Sequence, residues 1–224
     1  MPTQALTYQR VWNRRLDDLL ASDRPREKLY ARGDHLADAL ASPTVAIVGA
    51  RACTSYGAHV ARRLASDFAA AGVTVVSGLA RGVDAEAHRG SLDANGHTVA
   101  VLGCGIDRDY PRAHAELARQ IAATGAVVSE YQPGVEPAPW RFPARNRIIA
   151  ALADVVVIVE ARERSGALIT VDLAMEIGRP IYAIPGETTS NLSQGTNQLI
   201  RQRHATLITS AADVLEDIAV KELV

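Results

Sequence analysis

Val73–Asp84 reads VTVVSGLARGVD. Four β-branched residues run into a glycine-containing turn, and helical spacing resumes beyond it. Such a turn between a strand and a helix frees several backbone N–H groups and aims them at one point. The positive end of the helix dipole adds to them, which makes an anion site. Arg81 lies within the turn, so a full charge that can grip a phosphate bidentately joins the fixed donors. The plainer reading is a tight turn carrying a surface arginine, and the choice rests on whether the chain repeats the pattern.

It does. Apolar, β-branched runs recur at Val45–Ala50, Thr98–Gly103, Ala126–Glu130, Val155–Ala161, Ile181–Gly186 and Thr206–Ser210. They are near-continuous rather than alternating, as expected of strands buried on both faces of a parallel sheet. Amphipathic stretches separate them, such as GAHVARRLASDFAAAG with Val60, Leu64 and Phe68 on one face. Several of these end at a glycine (Gly72, Gly96, Gly125, Gly178), where a left-handed residue can close a helix. The fold expected is α/β: an extended Rossmann-like, doubly wound, mostly parallel sheet with helices on both faces. One domain is expected over residues 29–218. Residues 1–28 are expected to form a helical lead-in, and 219–224 a tail.

The 224 residues are 48% hydrophobic and 22% charged, ordinary for a chain that buries a core. The net charge of −1 excludes strong whole-molecule steering toward nucleic acid and leaves room only for a local basic patch. Aromatics are 4%, too few for a surface built mainly on stacking rings. Cys53 and Cys104 lack metal-ligand spacing, which suits a reduced, cytoplasmic protein. No signal-type or membrane-spanning apolar run is present in the sequence.

In open α/β sheets, ligands bind where strand C-termini meet helix N-termini. The residues expected there are GARACTSYG (Gly49–Gly57), with Arg51 where a dinucleotide fingerprint needs glycine and with Ser55 and Tyr56 as hydroxyl donors. Ser77, Gly78 and Arg81 follow in the second turn, and GCGIDRDYP (Gly103–Pro111) in the third. WRFPARNR supplies Arg141, Arg145 and Arg147 with no acid between them. EARERSGALIT offers Ser165 and Gly166 as a helix cap, with Arg164 beside them. The long polar loop Pro185–Asn197 is of a length that usually has a functional reason. Scattered surface arginine is the ordinary alternative, but a shared edge for these arginines suits a phosphate chain. Weaker constellations are Asp84 with His88 as metal ligands, and Glu130 with Glu160 as an acid/base pair or as anchors for arginines. No nucleophile elbow and no Walker A sequence occur.

Taken together and in order, VAIVGAR…SYG, SGLARGVDAEAHRG, TVAVLGCGIDRDYP, GAVVSEYQPGVEP, FPARNRIIA, VVIVEARERSGALIT, AIPGETTSNLSQGTNQLI and LITSAADVL resemble the DNA-processing protein A family (DprA, also called Smf). YARGD (Tyr30–Asp34) resembles that family's opening strand. The resemblance implies single-stranded DNA binding, a homodimer, loading of a RecA-type recombinase in natural transformation, no cofactor and no catalysis. Carried onto this chain, it implies a DNA pocket at Arg51, Ser77, Gly78, Arg81, Arg145, Arg147, Ser165 and Gly166, with Asn197 on the same rim. Leu199, Ile200, Arg201 and Leu207 resemble the dimer or recombinase contact. The family commonly adds a winged-helix domain, and this sequence reads as the Rossmann core alone. His114 stands where the family usually has asparagine, and Gln202–Ala205 is one residue longer than usual and lacks a glycine. Two other readings compete: a nucleotide-binding or nucleotide-hydrolysing enzyme or sensor, whose P-G-G-x-G-T-x-x-E signature is broken here at Glu187, and a protein-binding adaptor.

Overall fold

The computed structural model describes residues 9–11 and 29–221. In chain order the strands are β1 (Gln9–Val11), β2 (Leu29–Arg32), β3 (Thr44–Val48), β4 (Thr74–Ser77), β5 (Thr98–Leu102), β6 (Ala126–Ser129), β7 (Val155–Ile158), β8 (Ile181–Ala183) and β9 (Thr206–Leu207). The helices are α1 (Leu36–Ala41), α2 (Ser55–Ala70), α3 (Val83–Asp93), α4 (Ala115–Thr124), α5 (Arg141–Leu152), α6 (Gly166–Glu176), α7 (Gln194–Arg201) and α8 (Ala212–Lys221).

All described strands form one sheet in the order β1-β2-β6-β5-β4-β3-β7-β8-β9. From β6 to β9 every neighbour is parallel, and β1 and β2 add an antiparallel edge. The seven apolar runs each supply one parallel strand, and the Rossmann-like expectation holds. Within the expected helical lead-in, Gln9–Val11 is instead a strand, its backbone pairing antiparallel with β2. The rest of 1–28 lies outside the described residues. At the other end, α8 runs to Lys221, past the expected boundary at 218.

The continuous apolar runs reflect two covered faces. Along β3, Ala46 and Val48 pack toward α1, α5, α6 and α7, while Val45 and Ile47 pack toward α2 and α8. Along β5, Ala100 and Leu102 join Leu117 and Ile121 of α4 in a third cluster. Of the helix-closing glycines, Gly72 and Gly178 take positive φ, but after α3 that conformation falls on Asn95 rather than Gly96. Gly125 is required for a different reason: a Cβ there would collide with the Thr98 backbone.

The strand order reverses between β3 and β7: β4, β5 and β6 lie on one side of β3, and β7, β8 and β9 on the other. The loops leaving these two strands therefore diverge and open a crevice at their C-terminal ends.

Candidate nucleic-acid interface

A cleft of about 730 Å³ occupies that crevice. The β3–α2 loop gives it Arg51, the β7–α6 loop gives Arg162, Arg164, Ser165 and Gly166, and the start of α5 gives Phe142, Arg145 and Asn146. Ala80 and Asp84 reach it from the SGLARGVD turn, and Tyr110 from the loop after β5. Four guanidinium groups thus face one carboxylate. Arg51, Arg162 and Arg164 are exposed and enter no salt bridge among the described residues.

Arg145 differs from them. It is 4% exposed and forms the floor. Its Nη1 donates to the carbonyls of Gly78 (2.6 Å) and Val101. Burial lowers its pKa to about 10, although Asp84 opposes that shift. Burial raises the Asp84 carboxyl, while Arg145, the amides of Ala80 and Gly78, and Arg51 pull it back. The expectation that Arg145 is a rim contact is therefore corrected: its charge reaches the cleft only from below, where it is buried on two carbonyls.

The turn itself behaves differently from its sequence reading. Leu79 takes φ 58°, which folds the turn back so that the Ala80 amide points at Asp84 Oδ2 (3.3 Å). At least one amide that the sequence offers to a phosphate is thus taken by the chain's own carboxylate. His114 braces the same turn, its Nδ1–H donating to the Leu79 carbonyl at 2.9 Å, so the residue that departs from the family pattern is used in the structure. Ser77 is fully buried and its hydroxyl donates to Ile47 O (2.7 Å). Gly78 is needed because a Cβ would stand 2.6 Å from the Arg145 guanidinium.

The remaining candidates divide. Ser165 caps α6, its Oγ accepting from Ala167 N at 3.3 Å, and Gly166 opens that helix into empty space. Ser55 is exposed but outside the cleft lining, and the α2 cap is Thr54 instead. Arg81 is exposed and also outside the lining. Arg147 faces away, pairing with Glu130 at 2.6 Å. Asn197 clasps the Gly186 peptide with both ends of its amide (3.1 and 2.9 Å), closing the Pro185–Asn197 loop on itself. Glu160 accepts from Thr54 N (2.9 Å) and Thr54 Oγ1 (2.5 Å) and so fixes the β3–α2 loop. Asp84 and His88 belong to no metal-ligand cluster among the described residues. Arg162, Asn146, Phe142 and Tyr110 were absent from the sequence-based list. The guanidinium of Arg51 lies 5.3 Å over the Phe142 ring, which stacks on Tyr110 at 5.4 Å. The signal for Phe142 is its position between Arg141 and Arg145, but nothing in the sequence pairs it with Arg51.

Of the expected assembly residues, Ile200 and Leu207 line a shallow groove of about 640 Å³ at the β9 edge, together with Arg203 and His204. Leu207 is 48% exposed, Arg201 is exposed, and Leu199 is buried in the core. The turn after α7 still adopts a left-handed residue, carried by Arg203 (φ 60°) in a segment without the usual glycine.

Comparison with known proteins agrees with this architecture. A family described as DNA recombination-mediator protein A matches residues 5–219. The chain is 47% identical over 188 residues to a putative DNA processing protein DprA of Mycobacterium tuberculosis, covering 84% of this chain and 48% of that protein. It is 42% identical over 201 residues to protein Smf of Escherichia coli, covering 89% of this chain and 53% of that one. It thus spans about half the length of these relatives. The X-ray structure of DprA from Streptococcus pneumoniae superposes with a TM-score of 0.85 at 40% identity, covering 95% of this chain and 74% of the other. DNA processing protein A from Helicobacter pylori, whose structure concerns a single-stranded DNA binding mode, gives 0.86 at 32% identity, covering 96% and 97%.

Proposed function

The chain belongs to the DNA recombination-mediator protein A (DprA/Smf) family, and from that premise we propose that it binds single-stranded DNA through the β3/β7 cleft, without catalysis, and hands the strand to a RecA-type recombinase in recombination and natural transformation. The observation that carries the reading is the cleft's composition: four guanidinium groups against one carboxylate, with Asn146, Ser165 and the Phe142 ring among them. Exposed guanidinium groups hold phosphates, and rings accept bases of any identity.

Two further features favour a binder over an enzyme. Glu130 and Glu160, the candidate acid/base pair, are engaged by Arg147 and Thr54. The loop where a nucleotide hydrolase signature would stand contributes only Leu192 to the cleft. We read the β9 edge, with its exposed Leu207, as the self-association surface of a homodimer that sets two clefts on one strand.

Fluorescence-anisotropy titration with single- and double-stranded oligonucleotides at two salt concentrations tests the binding. Preference for the single strand, weakened by salt, is the expected result, and no binding at low salt would reject it. Sedimentation of Leu207→Lys against the parent chain tests the dimer. Release of free base from nucleoside monophosphates would replace the binder with the nucleotide-hydrolase reading.

A further inference from the structure

Trp140 stands 63% exposed immediately before α5. A tryptophan so exposed forgoes much of the stabilisation its burial would bring, so its surroundings matter. The Arg141 guanidinium lies 4.7 Å from the Trp140 ring centroid and 5.1 Å from that of Tyr131. Arg141 Nη1 also donates to the Glu136 carbonyl. Held between two rings and a carbonyl, this guanidinium has little freedom, and it fixes the ring it covers. With one face against Arg141 and most of the residue exposed, Trp140 presents its other face to solvent in a settled orientation.

Its position ties it to the cleft. Pro139 precedes it and Phe142 follows two residues later, and both line the cleft wall. The chain has only two tryptophans, six tyrosines and two phenylalanines, yet Tyr110, Tyr131, Trp140 and Phe142 gather around the start of α5. Among the described residues Tyr110, stacked on Phe142, is also exposed, and the remaining exposed large hydrophobics, Tyr56, Ile169 and Leu207, belong to different elements. Trp140 is therefore not the centre of an aliphatic patch of the kind that makes a protein–protein hot spot. A flat ring backed by a cation and continuous with a guanidinium-rich cleft suits a nucleobase.

We propose that Trp140 is a base-stacking subsite outside the phosphate cleft, taking the base of a nucleotide that flanks the segment held by Arg51, Arg162 and Arg164. The strand then leaves the cleft across the N-terminus of α5. This inference rests on the single-strand reading of the cleft and extends the footprint beyond it. Arg141 acts as the positioning residue for the ring.

The test compares oligo-dT with an abasic oligonucleotide of the same length, using Trp140→Ala, Trp140→Phe and Arg51→Ala. Trp140→Ala should weaken oligo-dT binding by about five- to a hundredfold and leave abasic binding unchanged, while Trp140→Phe retains most of the affinity. In a Trp12→Phe background, where Trp140 is the sole tryptophan, oligo-dT should quench the fluorescence and the abasic strand should not. Unchanged oligo-dT affinity in Trp140→Ala, or an equal loss with both strands, overturns the proposal and assigns the ring to another partner or to structure. Arg51→Ala reports separately on the cleft and should weaken both strands. If it weakens neither, the cleft reading fails whatever Trp140 does.

Discussion

Arg51 and Arg145 line the same cleft but do different work. Arg51 reaches solvent over Phe142, so Arg51→Ala should weaken oligonucleotide binding about tenfold with little change in unfolding free energy. Arg145 is buried against the carbonyls of Gly78 and Val101, with Asp84 near enough to act on its charge. Truncating it leaves the buried Gly78 and Val101 carbonyls without this donor, so Arg145→Ala should cost about 1–3 kcal/mol of stability in denaturant unfolding. His88 carries a pH signature. Thr98 Oγ1 donates its proton to Val75 O, so it must accept from His88 Nδ1–H at 2.7 Å. Nε2 is then unprotonated, buried and without a partner. Burial first, and then the charge of Arg145, lowers its pKa to about 3. The unfolded chain binds a proton near the ordinary value of 6.5, whereas the folded chain does not. Stability should therefore be complete above that value and fall by about 1.4 kcal/mol per pH unit from there toward pH 3. Unfolding of His88→Gln followed over the same range should give a flatter profile.

At the scale of elements, two contacts set the geometry of the cleft mouth. Thr54 caps α2, accepting from Gly57 N at 3.0 Å, and binds Glu160 at the end of β7. The two divergent loops of the switch point are thereby tied together. Thr54→Ala should cost about 1–2 kcal/mol by thermal or denaturant unfolding and should also weaken strand binding, because Arg51 rides on the loosened loop. Helices α2 and α3 meet at Gly90, where a Cβ would collide with the Arg62 carbonyl. Gly90→Ala should cost about 1–3 kcal/mol and leave binding per folded molecule unchanged, since the contact lies outside the cleft lining. The helices, strands and cap-bearing loops of this region follow from apolar period and glycine placement. The roles of Glu160 and Gly90 do not, because both act on partners distant in the chain.

For the whole molecule, the formal charge of −1 means that the long-range field helps binding little. Attraction must come from the exposed arginines of one crevice. Three guanidinium groups, Arg51, Arg162 and Arg164, should give a slope of log affinity against log salt of about −2 for single strands. A slope near zero in a salt titration would remove the phosphate cleft. The sheet order decides which arginines cooperate. Those following β3 and β7 line one crevice because the topology reverses between these strands, and Arg147 does not join them because it pairs with Glu130 just past β6.

Local sequence determined the strand–helix alternation, since burial on two faces leaves apolar runs and helices leave a 3.6-residue period. It also determined that Arg51, Ser165 and Gly166 stand in the loops after β3 and β7, at strand ends. Which of the other candidates line the same cleft was decided in three dimensions. The Ala80 amide turned inward to Asp84 beside Leu79 in its left-handed conformation, and Arg145 sank to the floor between Gly78 and Val101. Arg162 and the Tyr110–Phe142 stack entered from segments the sequence leaves unconnected. A side chain's partner depends on what the sheet brings within a few ångströms of it, and a residue's type and spacing leave that distance undetermined.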